Sequence, residues 1–185
     1  MLYNSSPCYI IRKENMKTLV VLAHPDLTAS RVNKALKNAI ENEVVLSDLY
    51  AKYKDFKFNI PAEQELLVQS NKIVFQFPIF WFSYPPLLQK YFDDVFAYGF
   101  AYGSSGQALK GKELALCVSL GGKEEAYSAQ GMIGFGLEEL LSPLKATSKF
   151  VGAKYGGHFA VFGATQGLSD TELAKKCHEY KGFVA

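Results

Sequence analysis

Thr18-Leu-Val-Val-Leu-Ala23-His-Pro-Asp-Leu-Thr-Ala-Ser30-Arg-Val-Asn-Lys-Ala-Leu-Lys-Asn-Ala-Ile40 carries the pattern that decides the fold. Its first six residues are an apolar run rich in branched side chains, which suits a strand buried on both faces. Val32, Ala35, Leu36, Ala39 and Ile40 then recur at helical spacing, and Ser30 stands where an N-cap belongs. A buried strand leading through a polar turn into an amphipathic helix is the opening of a βαβ unit.

The alternation continues along the chain. Glu43–Ser47, Lys72–Phe77, Glu113–Ser119 and Tyr155–Phe162 read as four more strands. Pro61-Ala-Glu-Gln-Glu65 opens a helix, with proline at the first position and acids in the first turn. Leu87, Leu88, Tyr91 and Val95 mark another helix after Pro85-Pro86. Leu137, Leu140, Leu141 and Leu144 mark a further one, which Pro143 must end or kink. Ser169-Asp-Thr-Glu172 is a capping-box pattern before a last helix that carries Leu173, Cys177 and Tyr180. Five strands alternating with helices predict an α/β fold: a parallel sheet covered on both faces, with right-handed crossovers. In such sheets ligands bind beyond the carboxyl ends of the strands.

Composition agrees with one ordinary domain. The chain has 185 residues, 49% of them hydrophobic and 21% charged, which excludes disordered, collagen-like and coiled-coil proteins. The net charge of +2, with no long like-charge block, speaks against nucleic acid as a partner. Cys8, Cys117 and Cys177 are odd in number and far apart, which argues against a disulfide framework or zinc site and fits a reducing cytosol. No apolar stretch approaches the roughly 20 residues of a membrane span. Met1–Asn15 reads differently from the rest and is a poor signal peptide. It is expected to be an upstream start or frayed extension, with an edge strand through Tyr9–Ile11 as the alternative. The domain is expected to run from Met16 to Ala185.

Several motifs fail. Gly106-Gln-Ala-Leu-Lys-Gly-Lys112 resembles a phosphate-binding loop, yet Glu113 stands where a hydroxyl is needed and a strand follows it. The first strand-to-helix turn has no glycine, so the dinucleotide fingerprint is absent. His24, His158 and His178 have no metal-ligand spacing, and no metal is expected.

Three turns at the ligand edge carry chemistry. The turn His24–Asn33 leads into a helix N-terminus, whose free amides suit a phosphate. His24, Ser30, Arg31 and Asn33 can add donors; plain capping by Ser30 is the alternative. The turn Gln76–Pro86 should be polar, but holds Pro78, Ile79, Phe80, Trp81 and Phe82. Twelve of the 26 aromatic residues fall in Phe75–Tyr102, more than one helix face can hide. They fit a core cluster, a wall for a flat ligand, or a dimer surface. The turn Ser119–Ser128 contains Gly121-Gly122, a pair that lets backbone amides approach a ligand or simply makes a turn. One ligand satisfies all three turns, with a phosphate tail, a flat apolar ring system and a ring edge that gains negative charge: a flavin mononucleotide.

At this point the chain resembles the flavodoxin-like NAD(P)H:quinone oxidoreductase family, especially its small bacterial members. These include the ancillary flavoproteins of glutathione-gated potassium efflux systems. His24-Pro with Ser30 and Asn33-Lys34, Ser47-Asp-Leu-Tyr-Ala51, Phe75–Phe82, Pro86-Leu-Leu, Gly99-Phe-Ala-Tyr-Gly103, Leu109-Lys-Gly-Lys112 and Gly121-Gly122 carry the resemblance. It implies a flavodoxin-like three-layer sandwich with strand order 2-1-3-4-5, homodimers, and FMN in preference to FAD. His24, Ser30, Arg31, Val32 and Asn33 would surround the ribityl phosphate. Ile79, Phe80, Trp81 and Phe82, which follow Pro78, would line the ring system. Ser119, Leu120, Gly121 and Gly122 would meet its pyrimidine edge, with Gly122 and Tyr127 as catalytic residues. Ile133 replaces a histidine that mammalian-type members carry six positions after that tyrosine, Ser104 replaces an aromatic, and Ser119-Leu120 replaces two threonines.

The expected activity is ping-pong hydride transfer from NAD(P)H to a quinone or similar acceptor, in the cytoplasm or peripherally at the inner face of the membrane. A rival is an interaction protein that regulates a potassium efflux membrane protein. Another is a one-electron carrier, although those resemble acidic proteins with a Ser/Thr-rich phosphate loop.

Overall fold

The computed structural model describes residues 18–185. The expectations for Met1–Asn15 lie outside the described residues. Five parallel strands form one sheet in the order β2-β1-β3-β4-β5, with β1 Leu19–Leu22, β2 Val45–Asp48, β3 Lys72–Pro78, β4 Glu113–Ser119 and β5 Lys154–Val161. This is the predicted flavodoxin-like topology.

Helices cover both faces. α1 (Arg31–Ile40) packs against α7 (Asp170–Val184) on one side. α2 (Leu49–Lys52), α3 (Ile60–Gln69), α4 (Pro86–Val95), α5 (Leu137–Leu140) and α6 (Ser142–Phe150) belong to the other. Strand alternation divides the core between them. Val21, Phe75 and Phe77 are buried beneath α2–α6, while Val20, Val74 and Cys117 are buried beneath α1 and α7. Each such side chain contributes roughly 1.5–3 kcal/mol by leaving water.

Two details differ from the sequence reading. The interruption expected at Pro143 is present and falls at Leu141; the proline stands in the first turn of α6, where its missing N–H costs nothing. The short α2 was not expected; Asp48 caps it by accepting from Ala51 N at 3.1 Å. A buried carboxylate ties this region together. Glu63 accepts from Ser47 Oγ at 3.1 and 3.0 Å and from Tyr53 OH at 2.7 Å, and it pairs with Lys52. Lys112, the last residue of the false phosphate loop, donates to Val68 O at 2.8 Å and Ser70 O at 2.5 Å. It satisfies carbonyls at the end of α3 and faces no ligand cavity.

Candidate functional site

A cavity of about 390 Å³ opens at the carboxyl ends of β1, β3 and β4. That volume lies within the usual range of small-molecule sites. Of the residues predicted for a ligand, it gathers His24, Ser30, Arg31, Val32 and Asn33 from the first turn. Pro78, Ile79 and Phe80 come from the second turn, and Ser119 and Gly121 from the third.

The first turn is built around two polar side chains. Asp26 Oδ1 accepts from Thr28 Oγ1 at 2.6 Å and Ala29 N at 3.2 Å, which closes the loop. Ser30 Oγ accepts from Asn33 N at 3.2 Å and so caps α1. The Arg31 and Val32 amides have no acceptor among the described residues and remain as donors at the positive end of the helix. His24 Nδ1 accepts from Asp26 N at 3.2 Å, which leaves Nε2 to carry the proton of the neutral ring. Burial lowers the His24 pKa, against the opposing pull of Asp26.

Two side chains of this turn also have partners within the protein. The Arg31 guanidinium donates to Leu168 O at 2.7 Å and to Asp170 Oδ1 at 2.5 Å, joining α1 to the start of α7. Asn33 is 1% exposed, and its amide nitrogen is committed to Ser119 Oγ at 2.8 Å.

The second turn is strained. Phe80 and Ser83 exchange two backbone hydrogen bonds of 3.0 Å, enclosing Trp81 at φ 46° and Phe82 at φ 62°. Both central residues are left-handed, as in a type I′ turn, where Asn-Gly is the usual choice. Bulky residues there are outliers of the kind that collect at functional sites. Phe80 faces the cavity, edge-on to His24 at a ring separation of 6.2 Å. Trp81 and Phe82, predicted to line the ring system, lie outside the cavity lining, and Trp81 is 93% exposed.

The third turn is held by the segment after β5. Gly163 N donates to Gly122 O at 2.7 Å, Ala164 N to Leu120 O at 2.9 Å, and Thr165 Oγ1 to Gly121 O at 3.1 Å. The amides of Gly121 and Gly122 find no acceptor among the described residues. A Cβ on Gly121 would stand 3.0 Å from Thr165 Oγ1, so the close approach of these loops uses the missing side chain. The Leu120 side chain is buried in the core, and its N–H donates to Val161 O at 2.9 Å. Gly122 borders Tyr127, whose ring packs at 5.6 Å from Phe162 and faces a neighbouring cavity that also contains His158. The two residues predicted as catalytic are thus adjacent to the main cavity and do not line it.

Ala164 and Thr165, with Asp26 and Ala29, complete the lining and were not predicted. The signal for the first pair was available: β5 neighbours β4, so the segment after it reaches the same edge.

The profile of the flavodoxin-like fold family matches residues 16–183. The chain is 42% identical over 169 residues to an uncharacterised NAD(P)H oxidoreductase, YdeQ, of Bacillus subtilis, covering 90% of this chain and 85% of that protein. It is 37% identical to the glutathione-regulated potassium-efflux system ancillary protein KefF of Salmonella typhimurium, covering 88% and 92%. General stress protein 14 of Treponema denticola, solved in complex with FMN, superposes with a TM-score of 0.85 at 38% identity, covering 91% of this chain and 97% of that one. An NADPH-quinone reductase of P. pentosaceus does so with a TM-score of 0.83 at 33% identity, covering 92% and 98%.

Proposed function

The chain belongs to the flavodoxin-like NAD(P)H:quinone oxidoreductase family, and on that premise we propose that it is an FMN-dependent enzyme reducing quinones or similar acceptors. The observation that carries this reading is the single cavity shared by the turns after β1, β3 and β4. Its lining suits FMN in kind. Unpaired amides at the α1 N-terminus and the Ser30 hydroxyl suit a phosphate, while Ile79 and Phe80 offer an apolar wall. The Gly121 amide, with that of Gly122 just beyond the lining, suits a ring edge that gains negative charge. FMN is the coenzyme of the similar Treponema structure, which favours it over FAD.

Bound FMN would supply the redox chemistry, accepting a hydride from NAD(P)H and returning two electrons to the acceptor, which also takes up protons. The protein's share is orientation and electrostatics. The first turn would hold the phosphate, and Phe80 with Ile79 would exclude water from the ring system. The Gly121 amide, with that of Gly122 next to it, would hold negative charge at a ring edge, and Tyr127, whose hydroxyl lies beside Gly122, would be a further donor there. Trp81 and Phe82 form the exposed rim. The functional unit is residues 16–185, and it works as a homodimer in the cytoplasm. Trp81, Tyr98, Met132, Phe135 and Phe150 are exposed apolar side chains that an interface would cover. Initial rates with NAD(P)H at several fixed quinone concentrations test the reading. Parallel double-reciprocal lines are expected; intersecting lines contradict the two half-reactions.

A second reading is favoured by the KefF relative: a regulatory ancillary subunit that sits peripherally on a potassium efflux membrane protein. Among the described residues no helix is long and apolar enough to cross a membrane. Faster potassium efflux from vesicles containing the membrane protein, on adding this chain, supports it; an unchanged rate refutes it.

A further inference from the structure

Gln76 sits in the middle of central strand β3 with 0% exposure, on the face covered by α1 and α7. A primary amide there costs free energy unless its donors and acceptor are matched. Tyr180 OH donates to its Oε1 at 3.1 Å. Its Nε2 donates to the main-chain carbonyl of Asn33 at 3.0 Å and lies 3.4 Å from Asn33 Oδ1. A main-chain carbonyl can only accept, so this bond decides which end of Gln76 faces α1.

The same logic runs one residue further. With Gln76 Nε2 beside it, Asn33 must turn its oxygen inward and its nitrogen outward. Asn33 Nδ2 donates to Ser119 Oγ at 2.8 Å and reaches Ser30 Oγ at 3.5 Å. Ser30 Oγ also accepts from Asn33 N. A hydroxyl oxygen that accepts from amides keeps one proton to give elsewhere. Both serines line the cavity.

We propose that Gln76 and Asn33 are positioning residues that hold the Ser30 and Ser119 hydroxyls as donors into the cavity. The site is thereby made selective for a ligand that presents acceptors, rather than donors, to this pair of neighbouring hydroxyls. The proposal rests on the FMN reading above and deepens it. Gln76 does not line the cavity, so it acts only through Asn33 and the two hydroxyls.

That last point is testable by a double-mutant cycle. FMN is titrated into the purified protein, and flavin fluorescence quenching gives Kd. Gln76→Leu removes the donor and frees the Asn33 amide to rotate. It is expected to weaken FMN binding about tenfold, the scale of a hydrogen bond to a charged group. In a Ser30→Ala/Ser119→Ala background the same change should alter Kd by less than about twofold, since no hydroxyl remains to orient. Gln76→Met, with an unbranched side chain and no donor, is run in parallel so that misfolding of one variant does not decide the result. Tyr180→Phe should leave Kd within about twofold, because the Asn33 carbonyl alone orients Gln76. Equal losses in both backgrounds, or no loss in the unaltered background, overturn the proposal while leaving the FMN reading intact. Failure of the unaltered protein to bind FMN overturns both.

Discussion

His24 and His158 are partly buried, and desolvation holds each imidazole below its ordinary pKa of 6.5. Lys145 adds to the effect at His158, although Glu138 lies 3.2 Å from its Nδ1. A folded-state pKa below the unfolded one means that the unfolded chain binds more protons. Stability is therefore full above about pH 6.5 and falls as the pH drops below it. The lowered carboxylates Asp26, Glu172 and Glu179 act later, below their ordinary values of 3.8 and 4.5. Thermal unfolding of the ligand-free protein should show Tm falling between about pH 7 and 5, and His24→Gln/His158→Gln should flatten that slope. An unchanged slope in the double variant contradicts the assignment. Residue strain makes a second prediction. A bulky left-handed residue costs on the order of 1–3 kcal/mol, so Phe82→Gly should stabilise the chain by about 1 kcal/mol in urea while weakening FMN binding. A destabilised Phe82→Gly would show that the turn is not strained.

Two helix caps separate stability from function at the scale of elements. Ser30 caps α1 at the cavity, and Ser169 caps α7 through a full capping box with Glu172. Replacing either by alanine should cost about 1 kcal/mol by urea unfolding. Only Ser30→Ala should also reduce FMN affinity; equal affinities would remove Ser30 from the site. Glu63, buried among Ser47, Lys52 and Tyr53, belongs to stability alone. Glu63→Ala leaves a set of donors and a cation unpaired and should cost about 3–5 kcal/mol. Most elements were legible in the sequence because buried parallel strands are short apolar runs and helices carry caps. Pro143 signalled a break but not its place, because a proline that ends one helix and a proline that begins the next look alike until the break at Leu141 is seen. The site was less legible. Apolar runs reveal strand ends, but not that Arg31 reaches across to Asp170 or that Leu120 faces inward, since both depend on tertiary neighbours. Gln76 escaped notice because a single polar residue inside a strand carries no periodic signal.

For the whole molecule, the parallel sheet sets everything else. Its order places β1, β3 and β4 side by side, so turns distant in sequence meet at one edge. Binding at that edge should stabilise the fold by mass action, about 2.7 kcal/mol when free FMN is a hundredfold above Kd. The exposed apolar side chains predict that the folded chain sediments as a dimer; a monomer at micromolar concentration contradicts that part of the proposal. The most direct measurement is a visible spectrum of the purified protein after adding FMN and removing the excess, followed by anaerobic NAD(P)H. Retained yellow absorbance that bleaches on adding the reductant and returns on adding a quinone is the expected result. A protein that emerges colourless contradicts the account.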